Sequence, residues 1–224
     1  MNNIFDSWPE KYEQWFQTPM GRLVEEYEKQ LILEMAQPGP GELILDAGCG
    51  TGAFTRHLLT AGARVIGLDI SRPMLRRAEE KFAGHSFQSL QGDMGHLPFS
   101  DDRFDKFLSV TALEFIEDAG RAVLEAFRVT KPGGCIVVAT LNRLSPWAFR
   151  RKEAARQGHP LFRSAIFRSP DELRGLAKVS GLIKTVIHFQ KEDDSQTARR
   201  IEEAGQAEEL MTGAFVAIKW LKPL

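Results

Sequence analysis

The chain has 224 residues, 43% of them hydrophobic, and its 29 Lys and Arg against 30 Asp and Glu give a formal net charge of -1. A chain of this size buries one sizeable core, and its balanced charge gives no reason to expect a nucleic acid or an anionic membrane as partner. Its two cysteines, Cys49 and Cys135, form no CxxC pair, and no apolar run is long enough to span a membrane. We expect a single-domain cytoplasmic protein without a signal sequence.

Short apolar runs alternate with helix-like segments along most of the chain. Strands are predicted at 42–46, 64–69, 86–90, 104–110, 134–140, 182–190 and 214–220. Helices are predicted at about 52–61, 71–83 and 118–130, one more opens at Ser169, and a polar segment at 191–212 is partly helical. The run Lys131-Pro132-Gly133-Gly134 is expected to turn the chain into the fifth strand. Such alternation predicts an α/β fold, a mostly parallel sheet covered by helices on both faces.

Two segments lack this alternation. The first, residues 1–40, contains the aromatic residues Trp8, Tyr12, Trp15 and Phe16, which either pack onto the sheet or form a lid over a site. The second, at about 142–168, interleaves arginines with aromatic residues as a cap-like insertion in the domain 41–224. A solvated helix face, an anionic small substrate and RNA each account for that second pattern.

A glycine-rich turn follows the first predicted strand, in the run Asp46-Ala47-Gly48-Cys49-Gly50-Thr51-Gly52. Glycine lets a ligand approach the main chain, and crevices at the carboxyl ends of parallel strands are the usual ligand sites of open α/β sheets. The glycine spacing differs from that of dinucleotide folds, and the Asp46 carboxylate would repel a pyrophosphate. The same carboxylate favours the ammonium and sulfonium of S-adenosylmethionine (SAM), so the turn indicates SAM over NAD.

Two further acidic residues stand where a nucleoside would need them. Asp69 ends the second strand, and its carboxylate can accept hydrogen bonds from both ribose hydroxyls. Asp93 follows the third strand and can accept the amino hydrogens of adenine, while Met94 packs on the ring. Three acidic residues are therefore expected at three consecutive strand ends.

Four segments, LDAGCGTG, GLDISRPML, GDMGHLPFSDDRFD and RVTKPGG, occur in this order over about residues 40–142. Together they resemble the class I SAM-dependent methyltransferases, in particular the type 11 and ubiquinone/menaquinone-biosynthesis-like group. The resemblance implies a Rossmann-like three-layer sandwich whose seven-stranded sheet has an antiparallel last strand, together with an N-terminal helical lid. It also implies SAM as cofactor and S-adenosylhomocysteine as product.

The resemblance assigns the site residue by residue. Its cofactor-binding residues would be Tyr12, Asp46, Ala47, Gly48, Cys49, Gly50, Asp69, Ile70, Met74, Gly92, Asp93, Met94 and Thr111. The expected substrate pocket consists of Trp15, Phe115, Asn142, Arg143 and Trp147. Glu114 is the candidate general base, although Glu114-Phe115 departs from the histidine-containing pair of many relatives. The five histidines show no metal-ligand spacing, and no metal is predicted.

The predicted reaction is in-line methyl transfer to an oxygen or carbon, less readily a nitrogen, of a small-molecule acceptor. An Asn-Pro-Pro-Tyr-like motif, typical of amino-group methyltransferases, does not follow the fourth strand. The alternatives are an RNA or protein methyltransferase and a non-catalytic SAM-binding regulator. A monomer and a homodimer both fit the sequence.

Overall fold

The computed structural model describes residues 4–7 and 9–224, apart from the side chains at positions 7, 9 and 11–13. Two 3₁₀ helices are Ile4–Ser7 and Leu113–Phe115. The α-helices are α1 (Pro9–Gln17), α2 (Pro19–Ala36), α3 (Thr55–Thr60), α4 (Arg72–Lys81), α5 (Ala119–Val129), α6 (Pro146–Arg156), α7 (Pro160–Arg163), α8 (Pro170–Arg174) and α9 (Ser195–Ala207). The strands are β1 (Leu43–Ala47), β2 (Arg64–Asp69), β3 (Phe87–Gln91), β4 (Phe104–Val110), β5 (Thr130–Leu141), β6 (Leu182–Val186) and β7 (Phe215–Leu221).

The strands form one seven-stranded sheet in the order β3-β2-β1-β4-β5-β7-β6. The first five strands are parallel, whereas β7 is antiparallel to both β5 and β6. This confirms the expected Rossmann-like sheet with its antiparallel last strand. The strand order reverses between β1 and β4, and open α/β sheets bind ligands at the carboxyl ends of the strands flanking such a reversal.

Apolar side chains form two clusters, one on each face of the sheet. Ile44 belongs to one cluster and Leu45 to the other, because successive side chains of a strand point to opposite faces. The first cluster is covered mainly by α2 and the second mainly by α5. No helix in the described part of the chain is long and apolar enough to cross a membrane.

The N-terminal segment divides into a buried helix and a shorter part that precedes it. α2 begins after Thr18, whose hydroxyl accepts a hydrogen bond from the N–H of Gly21, and it buries Leu31 and Met35 in the core. The expected lid of residues 1–40 is therefore wrong for α2, whose apolar stripe makes it a layer of the sandwich. A lid formed by Ile4–Ser7 and α1 stays a prediction.

Two predicted strand boundaries differ from the structure. β5 extends back to Thr130, but its pairing with β4 skips residues 131–134, where Gly133 has a φ of 73°. The expected turn is thus a bulge inside the strand. β6 ends at Val186, not at 190, because Ile187 has a φ of 69° that the extended chain does not allow. Ile187 and Phe189 are nevertheless buried, which explains why the apolar run looked longer than the strand.

Two predicted pocket residues have structural partners instead. The side-chain amide of Asn142 is fully buried and donates to the carbonyl oxygens of Met211, at 2.9 Å, and Gly213, at 2.8 Å. The exposed side chain of Arg143 forms an ion pair with Glu172 at 2.9 Å. The amide of Asn142 therefore serves the backbone and not a ligand, whereas the assignment of Arg143 to the substrate pocket stays a prediction. The cap role of segment 142–168, which contains α6 and α7, stays a prediction.

We expect Asn142→Ala to lower the free energy of unfolding by about 2–4 kcal/mol, because it leaves buried carbonyl oxygens without donors. Urea denaturation of the ligand-free protein measures this loss. Leu144→Ala is the control, since Leu144 is largely exposed nearby and should cost less than about 1 kcal/mol. Equal losses in the two variants would contradict the structural role of Asn142.

Candidate active site

The glycine turn after β1 packs against two other parts of the protein and is open at its centre. Gly48, Gly50 and Gly52 all have positive φ angles. A Cβ atom at Gly48 would lie 2.3 Å from the Cβ of Ala112, and one at Gly52 would lie 2.3 Å from the Phe82 ring. A Cβ at Gly50 would meet nothing within 4 Å. The outer glycines are thus required for packing, whereas Gly50 leaves main chain accessible to a ligand.

Asp69, the last residue of β2, connects the glycine turn to the start of α4. Its two carboxylate oxygens accept hydrogen bonds from the backbone N–H groups of Gly50 and Ser71, both at 2.8 Å. Burial raises the pKa of Asp69, and these backbone hydrogen bonds oppose that rise. The hydroxyl of Ser71 donates to Asp6 Oδ1 at 2.8 Å. The 3₁₀ helix Ile4–Ser7 therefore reaches the edge of the site beside Asp69.

Asp46 lies beneath the glycine turn. Its Oδ2 accepts a hydrogen bond from Thr55 Oγ1, on α3, at 2.5 Å. Burial raises the pKa of Asp46 to about 7, with the Thr55 hydrogen bond acting in the opposite direction. A positive charge placed near this carboxyl would therefore stabilise its ionised form.

The residues after β2 and β3 complete this side of the crevice. Gly92 N–H donates to the carbonyl oxygen of Asp69 at 3.0 Å, which brings the ends of β2 and β3 together. The half-exposed carboxylate of Asp93 accepts a hydrogen bond from Gly95 N–H within its own turn. Met94 is buried, with its sulfur 3.7 Å from Ser109 Oγ. The carboxyl ends of β2 and β3 thus bring four predicted residues close together, namely Asp69, Gly92, Asp93 and Met94.

Three further predicted cofactor residues surround the same strand ends. Ile70 is 51% exposed and directly follows Asp69, whereas Met74 is buried in the first turn of α4. Thr111, directly after β4, has a φ of 49°, and its N–H donates to the carbonyl oxygen of Ala139. The side chain of Tyr12 lies outside the described residues.

Glu114 is held inside the protein by the 3₁₀ helix that follows β4. It is 1% exposed, and its Oε2 accepts a hydrogen bond from Thr140 Oγ1, at the end of β5, at 2.7 Å. Its Oε1 is buried and has no hydrogen-bond partner among the described residues. Burial raises the pKa of Glu114 to about 7. The next residue, Phe115, makes an edge contact with Phe5, with ring centroids 4.8 Å apart.

Arg168 fixes the backbone around Glu114. Its guanidinium donates to the carbonyl oxygens of Leu113 at 2.8 Å and Ile116 at 2.9 Å. A solvated helix face is one of the three interpretations that the sequence allows for the arginines of segment 142–168. That interpretation is wrong for the buried Arg168, and it fits the exposed Arg150 and Arg156.

Two charged side chains that interact electrostatically with Glu114 were not among the predicted site residues. Glu28 of α2 is 6% exposed, and burial raises its pKa to about 8. Arg151 of α6 is half-buried, and desolvation lowers its pKa to about 10 although the charges of Glu28 and Glu114 act in the opposite direction. Helical spacing could have indicated that both side chains point into the protein. Glu28 lies four residues after the buried Val24, and Arg151 lies four residues after the buried Trp147.

The aromatic residues predicted for the substrate pocket have mixed surroundings. Trp147 is buried, its Nε1 donates to the carbonyl oxygen of Phe189 at 2.7 Å, and the Arg151 guanidinium lies 5.4 Å from its ring centroid. Trp15 is partly buried against the core, and Lys191 Nζ lies 5.5 Å from its ring centroid. Of these two tryptophans, Trp147 is the one that contacts the buried charged group.

Two surface depressions lie away from these strand ends. One is on α9, and the other follows the amino-terminal ends of β2 and β3. Neither contains a residue of the predicted site.

We expect Glu28→Gln to reduce the pH dependence of stability. The folded-state pKa of about 8 lies above the ordinary 4.5, so the folded protein keeps a proton that the unfolded chain has lost between these pH values. Stability therefore falls as pH rises from 5 to 8, and the variant should recover about 1–4 kcal/mol of that fall. Urea denaturation at both pH values measures the change.

Glu34→Gln, an exposed position on the same helix, is the control and should change neither the midpoint nor its pH dependence appreciably. If the free energy of unfolding varied with pH in the same way in the wild type and in Glu28→Gln, the raised pKa of Glu28 would be contradicted.

Comparison with known proteins identifies related sequences. A family model described as a methyltransferase domain matches residues 45–138. An uncharacterized protein of Methanocaldococcus jannaschii is 32% identical over 218 residues, covering 96% of this chain and 97% of that protein. The malonyl-[acyl-carrier protein] O-methyltransferase of Yersinia pestis is 39% identical over 110 residues, 49% of this chain and 40% of that protein. The demethylmenaquinone methyltransferase of Thermobifida fusca is 36% identical over 145 residues, 63% of this chain and 61% of that protein.

The similarity to the malonyl-[acyl-carrier protein] O-methyltransferases thus spans only about two fifths of their length. Among solved structures, a SAM-dependent methyltransferase of Thermotoga maritima shares the fold, with a TM-score of 0.75 at 24% identity over 98% of both chains. The family match, the relatives and this fold agree with the four sequence motifs. The chain belongs to the class I SAM-dependent methyltransferases, enzymes that use SAM as their methyl donor.

Proposed function

We propose that this protein transfers the methyl group of SAM to an oxygen or carbon of a small-molecule acceptor. The observation that carries the proposal is the buried Oε1 of Glu114, which has no hydrogen-bond partner among the described residues. Such an atom, next to the turn that contacts the glycine loop, can accept a proton from a bound acceptor. The names of two relatives, an O-methyltransferase and a demethylmenaquinone methyltransferase, support acceptors of this class.

The chain's own residues fit a cationic nucleoside cofactor. The open main chain at Gly50 gives the cofactor space, and Asp46, whose pKa is about 7, becomes ionised when a positive charge lies nearby. Asp69 would hold the ribose hydroxyls with the acceptor capacity that its two backbone hydrogen bonds leave unused. Asp93 and Met94 would contact the adenine.

When bound, SAM would supply an electrophilic methyl group to an electron pair of the acceptor atom and would leave as S-adenosylhomocysteine, with the electron pair of the carbon–sulfur bond on sulfur. The proton of that acceptor atom passes to the Glu114 carboxylate. Thr140 holds Oε2 of this carboxylate at 2.7 Å, so Oε1 is the oxygen that receives the proton.

The N-terminal residues would exclude water from this crevice. Phe5 packs on Phe115, and Asp6 is hydrogen-bonded to Ser71. These two contacts, one with the residue pair after β4 and one with the residue that caps α4, support a lid over the crevice. A closed segment would keep water away from the methyl group and the acceptor.

We expect Asp69→Asn to weaken SAM and S-adenosylhomocysteine binding by about 10- to 100-fold, because the amide can no longer accept all the hydrogen bonds of the carboxylate. Calorimetric titration measures both ligands, and NAD should not bind. Asp171→Asn changes an exposed aspartate and should bind like the wild type. Circular dichroism must show both variants folded. Unchanged affinity in a folded Asp69→Asn protein would remove Asp69 from the cofactor site.

We expect Glu114→Gln to lower the rate of methyl transfer to an acceptor found by screening by about 100-fold or more, because the amide cannot take up a proton. A carboxyl group acts as a base only when ionised. The wild-type rate should therefore rise with pH through about 7, the pKa of Glu114, and this rise should be absent in the variant.

Single-turnover rates between pH 5.5 and 9 test this expectation. Glu117→Gln, an exposed neighbour, should keep the wild-type profile. A folded Glu114→Gln protein with unchanged turnover would refute a base role for Glu114.

A further inference from the structure

Arg151 has an unusual environment for an arginine. Its Nη1 is buried and has no hydrogen-bond partner among the described residues, although the guanidinium lies over the Trp147 ring. An arginine stays protonated at any ordinary pH, and burying its charge without a partner is costly. Contact with an aromatic face compensates part of that cost but leaves the N–H groups unbonded.

Two other arginines have partners for their guanidinium groups. Arg168, also buried, donates to the carbonyl oxygens of Leu113, Ile116 and Ile166. Arg150, the sequence neighbour of Arg151, forms an ion pair with Glu192 at the surface. Arg151 therefore differs from both, because neither carbonyl groups nor a carboxylate of the described residues satisfies its Nη1.

The charges nearest to Arg151 do not replace such a partner. Glu28 and Glu114 both influence its pKa, but neither forms an ion pair with it. Burial raises the pKa of Glu28 to about 8, so this carboxyl carries a proton near neutral pH. The buried group therefore keeps an unsatisfied positive donor at Arg151.

Glu114, whose charge acts on Arg151, has an unpaired atom of the opposite kind. Its Oε1 is a hydrogen-bond acceptor without a donor, as Arg151 Nη1 is a donor without an acceptor. One bound molecule satisfies both atoms if it carries an anionic oxygen at one position and an O–H or N–H group at another.

We propose that Arg151 binds an anionic oxygen, of a carboxylate or a phosphate, on the methyl acceptor while Glu114 accepts the proton of the group to be methylated. This inference rests on the proposed function, since it assigns the acceptor side of the same site. It makes Arg151 a specificity-determining residue. Acceptors without the anionic group bind poorly because they leave the guanidinium unpaired.

Calorimetry of the protein saturated with S-adenosylhomocysteine tests this directly. The probes are glycolate, 2-hydroxyethyl phosphate and glycolamide, the uncharged analogue of glycolate, and each carries a hydroxyl group that can donate to Glu114. We expect at least one anion to bind and glycolamide not to bind. Arg151→Gln should weaken anion binding at least tenfold, whereas Arg150→Gln should leave it unchanged. Binding of glycolate alone identifies a carboxylate acceptor, and binding of 2-hydroxyethyl phosphate alone identifies a phosphate.

Two results would overturn the inference: neither anion binds the wild type, or Arg151→Gln binds it as well as Arg150→Gln does. If Arg151→Gln fails to fold, the wild-type comparison decides, because equal binding of glycolate and glycolamide also overturns the proposal. The initial titration with S-adenosylhomocysteine separates the proposed function from the role of Arg151. Absence of S-adenosylhomocysteine binding contradicts the proposed function, whereas its binding without an anion contradicts only the role of Arg151.

Discussion

The candidate active site depends on the pair of backbone hydrogen bonds accepted by Asp69. One carboxylate oxygen binds the N–H of Gly50 and the other binds that of Ser71. The glycine turn, the end of β2 and the start of α4 are therefore positioned by a single side chain. Because these bonds stabilise the ionised carboxylate against the effect of burial, the residue that orders the turn also remains available to a ligand's hydroxyl groups.

The fold was largely predictable because its strands carry a strong local signal. Runs such as Ile136-Val137-Val138 are buried on both sides, so they consist of apolar, mostly β-branched residues. The end of β6 was not predictable in this way, since Ile187 and Phe189 are buried without being in the strand. The role of α2 depends on packing: its aromatic and apolar residues are compatible with a lid and with a core layer.

The cofactor side of the site was easier to predict than the acceptor side. Asp46, Asp69 and Asp93 follow strands directly, so strand prediction places them at the same edge. Arg151 and Glu28 come from helices far apart in sequence, and their proximity results from tertiary packing that a single sequence does not encode locally. For Asn142, the position directly after a strand was misleading. A polar residue there can hydrogen-bond to the backbone as readily as to a ligand, and the amide of Asn142 does so.

The hydroxyl of Ser71 has two separate roles, because its oxygen accepts the N–H of Met74 while its hydrogen is donated to Asp6. The first contact caps α4, and the second attaches the N-terminal 3₁₀ helix. Loss of the contact with Asp6 frees the hydrogen but leaves the oxygen lone pair, and hence the cap, in place. The start of α4 therefore does not depend on the hydrogen bond to Asp6, whose net contribution is about 1 kcal/mol.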